Sequence, residues 1–226
     1  MKQENGRRME NTGDEYSERR RIMVERLIRN GYLSKPEVID AMLKVPRHLF
    51  VPESQRCCAY QDRPLPIGYG QTISAPHMVA MMTEHLDVKE HHKILEIGSG
   101  SGYQAAVLAE IVRDGKIYTV ERIPELVEFA RRNLERCQYR NVLVILGEGT
   151  KGYARESPYD RIIVTAAAPH LPKALIEQLK DDGRMLIPVG GRGYQNLMLI
   201  EKKNGRISER NLGGCVFVPL IGENGW

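Results

Sequence analysis

From Lys93 onward the chain alternates short apolar runs with amphipathic segments of helical period, and this alternation constrains the fold more than any other feature. "KILEIG" leads into "GYQAAVLAEIV", "KIYTVE" into "IPELVEFARRNLERC", and "DRIIVTA" into "PKALIEQLK". Between the second and third pairs lies "NVLVIL", followed by the loop "GEGTKGYARESP". Strands that alternate with helices pair in parallel, since each crossover returns the chain to the same end of the sheet. Helices then cover both faces, so the strands read as continuous apolar runs. "RMLIPVG", "NLMLIEKK" and "CVFVPL" supply three more strand patterns. The expectation is an α/β fold: a doubly wound, mostly parallel, seven-stranded Rossmann-like sheet over residues 93–226.

Two further regions precede it. Residues 1–15 are polar and without period, which predicts a disordered tail. Residues 16–92 read as an N-terminal helical addition carrying a substrate loop, the whole forming one compact domain. Ile22, Met23, Leu27 and Ile28 predict a helix ending near Asn30-Gly31. "SKPEVIDAMLKV" predicts a second, with Ser34 as N-cap and Glu37 closing a capping box. The turn-rich "QDRPLPIGYG" then leads to "QTISAPHM", where Pro76 opens a third helix. The N-terminus lacks the apolar segment of a secretory signal, and no apolar run reaches the roughly 18 residues of a membrane span. Net charge is only +4, with acids and bases interspersed, which argues against a nucleic-acid partner. The four cysteines form no metal-binding pattern with the six histidines. They suit a reduced, cytoplasmic protein without a metal. His91-His92 reads as solvated.

"LEIGSGSGY" places Gly98, Ser99, Gly100 and Gly102 between a strand and its helix. Glycine there lets a ligand approach the backbone closely. Tyr103 stands where a dinucleotide fingerprint needs its last glycine, and no Gly-Lys-Ser/Thr ending is present. Glu96, just before the glycines, would repel a pyrophosphate and attract an ammonium group. Glu121, at the end of the second strand and followed by Arg122, is placed to accept from ribose hydroxyls. Glu148-Gly149 follows the third strand; Glu148 is either an acceptor near an adenine or a solvated loop acid. A ligand with a ribose and a cationic amino-acid end, but no phosphates, is S-adenosyl-L-methionine.

The position after the fourth strand reads "VTAAAPHLP" rather than the Asn/Asp-Pro-Pro-aromatic turn of base amino-methylation. No cysteine follows a proline, as C5-methylation of pyrimidines would require. Five collinear segments, "QTISAPHM", "LEIGSGSGY", "YDRIIVTAAAP", "LIEQLKDDGRMLIPVG" and "VFVPL", resemble the protein-L-isoaspartate O-methyltransferases, and "VPRHLFVP" is similar to the prokaryotic members. The resemblance runs from about Ile22 to Leu220. It implies methyl transfer from S-adenosyl-L-methionine to the free α-carboxylate of isoaspartyl residues in damaged proteins and peptides, with D-aspartyl residues as a further substrate. It implies Ser74 as the catalytic serine and Thr72 and Ile73 beside it on the substrate. Glu96, Gly98, Ser99, Gly100, Gly102, Glu121, Arg122, Glu148 and Gly149 match the cofactor site, and Val218 and Pro219 a strand lining the peptide groove. Val79 and Gln71 depart from some eukaryotic members and receive no role.

A carboxylate of pKa near ~4 is ionised at neutral pH, so the implied reaction needs no general base, and "QTISAP" offers no obvious one. Ser74 reads both as an orienting hydroxyl and as an N-cap. His77 reads as a helix-surface residue. Gly68 and Gly70 fit a loop that closes over substrate or a plain turn. The expected assembly is a monomer. Two other readings stand beside this one: a methyltransferase for another carboxylate or small molecule, and a non-catalytic module contacting RNA through "RRNLERCQYR".

Overall fold

The computed structural model describes the chain from Gln3, with side chains from Glu15; Met1 and Lys2 lie outside the described residues. Helix α1 spans Gln3–Arg29 and α2 Pro36–Lys44. Strands β1 (Leu65–Gly68) and β2 (Gln71–Ile73) form a small antiparallel hairpin, followed by α3 (Pro76–Leu86). The core then runs β3 (Lys93–Ile97), α4 (Tyr103–Ile111), β4 (Lys116–Glu121), α5 (Pro124–Arg136), β5 (Val142–Leu146), β6 (Tyr159–Val164), α6 (Lys173–Gln178), β7 (Leu179–Gly191), β8 (Tyr194–Lys203) and β9 (Arg206–Cys215).

The seven-stranded sheet has the order β5-β4-β3-β6-β7-β8-β9. Strands β5 to β7 along that order are parallel, and β8 and β9 close the sheet antiparallel. Strand order reverses beside β3, so the loops after β3 and β6 part there and leave a crevice, the usual ligand position in an open α/β sheet. Both faces are buried. Ile94, Ile117 and Ile163 face a core shared with helices α1 to α5, including Leu27, Met42, Leu108 and Leu134. Leu95, Ile97, Val120, Ile162 and Val164 face a second core with Leu175 of α6 and Leu220 near the C-terminus. No described helix is long and apolar enough to cross a membrane.

Three local expectations are corrected. The seventh strand is Arg206–Cys215, not "CVFVPL". It is mostly exposed at the sheet edge, so it lacks the apolar pattern that marks buried strands, while its charges suit an unpaired edge. "VFVPL" instead crosses the strand ends as irregular chain, and Pro219 makes one isolated parallel bridge to Ala167. Helix α1 takes in the segment expected as a tail from Gln3 onward. It continues the helix that follows, where Glu18 pairs with Arg21 at 2.6 Å and Glu15–Arg19 and Arg21–Glu25 pair beside them. Ser34 is not a cap. Lys35 holds that position, and Ser34 donates its hydroxyl to Glu84 at 2.9 Å.

Candidate active site

The β3–α4 loop forms the floor of the crevice. Gly98, Gly100 and Gly102 all have positive φ (95°, 52° and 85°), as the tight turn requires. At Gly98 a Cβ would also run into the Thr165 hydroxyl, which approaches because it bonds the Gly98 carbonyl at 2.7 Å. Ser99 is held from below by a 2.7 Å bond between its hydroxyl and that of Thr119. Gly102 is the N-cap of α4, so the free N–H groups of that helix start at the loop.

Glu121 ends β4 and turns its carboxylate back under the loop. Its Oε2 accepts from the Gly100 N–H at 3.0 Å, and its Oε1 from the N–H groups of Arg122 (2.9 Å) and Ile123 (3.0 Å). A carboxylate has about four acceptor positions. These three N–H groups leave acceptor capacity on Oε2, where a hydroxyl could bond. Glu96 lies deeper. It is fully buried beside Thr119 in the register, and neither carboxylate oxygen has a partner among the described residues. Burial pushes its pKa up to about 8, and the nearby Glu121 pushes the same way.

The facing wall is the hairpin and the start of α3. Gly68, Tyr69 and Gly70 take positive φ (95°, 54° and 69°) as the hairpin turn, which sets Ile73 opposite Leu65. Ser74 follows, and then Ala75, the N-cap of α3, which has no side chain to cap with. The cap comes from elsewhere: Asp62 accepts the His77 N–H at 2.9 Å and the His77 Nδ1 at 2.9 Å. Ser74 is thus released from the capping role that the sequence allowed it, and His77 is held by Asp62 with its ring against Tyr32.

Two pockets meet here. One is walled by Thr72, Ile73 and Ser74 on one side and Gly98, Ser99, Gly100 and Ser101 on the other, with Glu121 and Thr165 at its end. The second continues past Gly98 and Glu121 to Arg122, Ile123, Gly149, Pro219 and Leu220. Gln71 borders both.

Most of the residues singled out from the sequence converge on this cleft; four do not line it. Gly102 turns away, to where a Cβ would meet Leu134 of α5. The Glu148 carboxylate turns toward the C-terminal segment, where it accepts from Thr150 Oγ1 and from the Glu223 N–H at 2.9 Å. Val218 contributes its carbonyl to the Ala167 N–H at 2.8 Å, and Glu96 is fully buried within β3. Gln71, Val79, Ser101, Tyr103, Gln104 and Thr165 also line the first pocket, although the sequence assigned them no part in it. Their residue types are ordinary, and only the tertiary fold brings them together.

The arrangement fits an adenosyl ligand with a cationic end. Gly149 leaves space that a Cβ would take against Ile97, within a pocket whose apolar walls (Val120, Ile123, Leu220) suit a flat aromatic base. Glu121 offers an acceptor at the junction, and the unpartnered Glu96 places latent negative charge beneath the other pocket.

Comparisons with known proteins agree with that geometry. Residues 18–225 match the family model described as "Protein-L-isoaspartate(D-aspartate) O-methyltransferase (PCMT)". A protein-L-isoaspartate O-methyltransferase of Methanopyrus kandleri is 61% identical over 210 residues, covering 92% of this chain and 93% of the relative. One of Hyperthermus butylicus is 57% identical over 221 residues, covering 93% and 92%. A Plasmodium falciparum structure described as a protein-L-isoaspartate O-methyltransferase in complex with S-adenosyl-L-homocysteine superposes with a TM-score of 0.81 at 30% identity, covering 89% of this chain and 98% of that one.

Proposed function

The chain belongs to the protein-L-isoaspartate(D-aspartate) O-methyltransferase family, and from that premise we propose how its cleft methylates the α-carboxylate of an isoaspartyl residue. It is an S-adenosylmethionine-dependent protein carboxyl O-methyltransferase. When bound, S-adenosylmethionine supplies an electrophilic methyl group on a sulfonium sulfur. Ile123, Gly149 and Leu220 hold the adenine end, Glu121 accepts from the ribose, and Gly98 to Gly102 admit the amino-acid end to the backbone.

The single observation that carries this reading is that Thr72-Ile73-Ser74 and the glycine loop wall one pocket. A carboxylate docked on the first lies within the same enclosure as a ligand held by the second. The Ser74 hydroxyl and neighbouring N–H groups orient the carboxylate, which is already ionised at neutral pH and needs no base. Ile73 and Val79 are buried beside it and exclude water, which strengthens the electrostatic contacts that hold it. Positioning of this kind can supply up to roughly 7–11 kcal/mol. We infer a monomer acting on peptides without a nucleic-acid partner, in keeping with a net charge of only +4 and interspersed acids and bases. Its four free cysteines suit the cytoplasm.

Transfer of labelled methyl groups to matched isoaspartyl and aspartyl peptides tests the reading. The aspartyl carboxylate is displaced by about a bond length or more, and a misplacement of about 1 Å costs around a hundredfold in rate. The isoaspartyl peptide should therefore dominate by that order, and its ester should release methanol in base. Comparable rates on both peptides, or a base-stable product, would overturn it.

A further inference from the structure

Arg47 is fully buried in a short 3-10 turn between α2 and the hairpin. Its Nε donates to the Ala59 carbonyl at 2.8 Å and its Nη2 to the Ser74 carbonyl at 2.7 Å. The guanidinium carbon lies 4.7 Å from the ring centroid of Tyr103, which lines the cleft from the start of α4. Among the described residues no carboxylate pairs with this charge, and Nη1 has no hydrogen-bond partner. Asp62 acts on it only at a distance, its Oδ1 accepting both bonds from His77.

A buried, unpaired cation is unfavourable for folding, so mere cohesion of the core is a poor reason for one here. An apolar side chain of similar volume would fill the space without that penalty. What arginine adds is a rigid fork and a positive charge. The fork ties the segment after the 3-10 turn, through Ala59, to the backbone of Ser74. The charge lies directly behind the loop that receives an anion, in a region of low dielectric where it is weakly screened.

We propose that Arg47 is a positioning residue for methyl transfer: it fixes the backbone of Ser74 and biases the loop toward binding the substrate carboxylate. It acts through Ser74 and does not touch the methyl donor. The inference rests on the carboxyl methylation described above.

The test uses the full chain with Arg47→Met and Arg47→Lys substitutions. Steady-state kcat and KM for an isoaspartyl peptide are measured at saturating cofactor, S-adenosylhomocysteine affinity by calorimetry, and the folded fraction by circular dichroism. In Arg47→Met the peptide kcat/KM should fall by about a hundredfold per folded molecule, with S-adenosylhomocysteine affinity within about twofold of the parent. Arg47→Lys keeps the charge and loses the fork, so it should fall between the two. Unchanged kcat/KM per folded molecule, or an equal loss of S-adenosylhomocysteine affinity, overturns the proposal. Should Arg47→Met not fold, Arg47→Lys decides by the same two measurements. The unsubstituted protein is the independent arm: its failure to methylate the isoaspartyl peptide would reject the underlying reaction, whereas its success with unaffected Arg47 variants would reject only the role of Arg47.

Discussion

A carboxylate deprived of both solvent and partners, as at Glu96, resists ionisation, and the consequence is measurable. Burial pushes its pKa from 4.5 up to about 8, so the folded chain keeps a proton there that the unfolded chain has already released. Between those values the native state binds more protons than the unfolded state, so the ligand-free protein loses stability from this group as pH rises. Glu96→Gln imitates the protonated form and removes the loss. Its melting temperature should approach the parent's below about pH 4.5 and exceed it by several degrees at pH 8. A difference that stays constant between the two pH values would refute the assignment. This residue was legible in the sequence because an acid inside an apolar strand breaks the pattern around it. Arg47 was not, because "VPRHLFVP" gives no sign that its arginine turns inward to meet Ser74, 27 positions later.

At the scale of elements, α3 shows where a local pattern and a tertiary one compete. Ser-Ala-Pro invites a serine cap one residue early, yet Asp62, from the turn-rich segment before the hairpin, supplies the carboxylate instead. The two substitutions should therefore separate. Asp62→Ala removes a cap and its His77 contact, and should cost about 1 kcal/mol or somewhat more of stability. Ser74→Ala should leave stability nearly unchanged while lowering peptide methylation at least tenfold, with cofactor affinity intact. Denaturant unfolding and kinetics on both variants check this; a Ser74→Ala loss confined to stability would make it a cap after all. The same competition explains the sheet edge. The inner strands were legible because burial on both faces forces apolar runs. The solvated edge strand Arg206–Cys215 carries no such signature, and of the apolar "VFVPL" that follows it only Leu220 is buried.

Over the whole molecule, the cleft is assembled from stretches far apart in the chain: the hairpin at 71–74, the loops at 98–101 and 121–123, Gly149, and the C-terminal segment at 219–221. The last of these lies outside the sheet and is anchored at separate points. Trp226 donates its indole N–H to the Ala167 carbonyl at 3.1 Å, its ring lies 5.1 Å from the Arg192 guanidinium, and the Leu220 N–H reaches the same carbonyl at 2.8 Å. A ligand that spans both pockets touches all of these stretches at once, so its binding energy should appear as cooperative stabilisation of the whole fold. With S-adenosylhomocysteine at a hundred times its Kd, linkage gives about 2.7 kcal/mol. For a domain of this size that corresponds to a rise in melting temperature of roughly 5–10 °C. Hydrogen exchange should locate the effect, because segments outside the central strands and helices open most readily. Protection is expected at 68–74, 98–102 and 216–226 together, while the central strands β3, β4 and β6, already slow, change little. Protection confined to the glycine loop would mean that the hairpin and the C-terminal segment do not close on the ligand, and that the two pockets do not form one site.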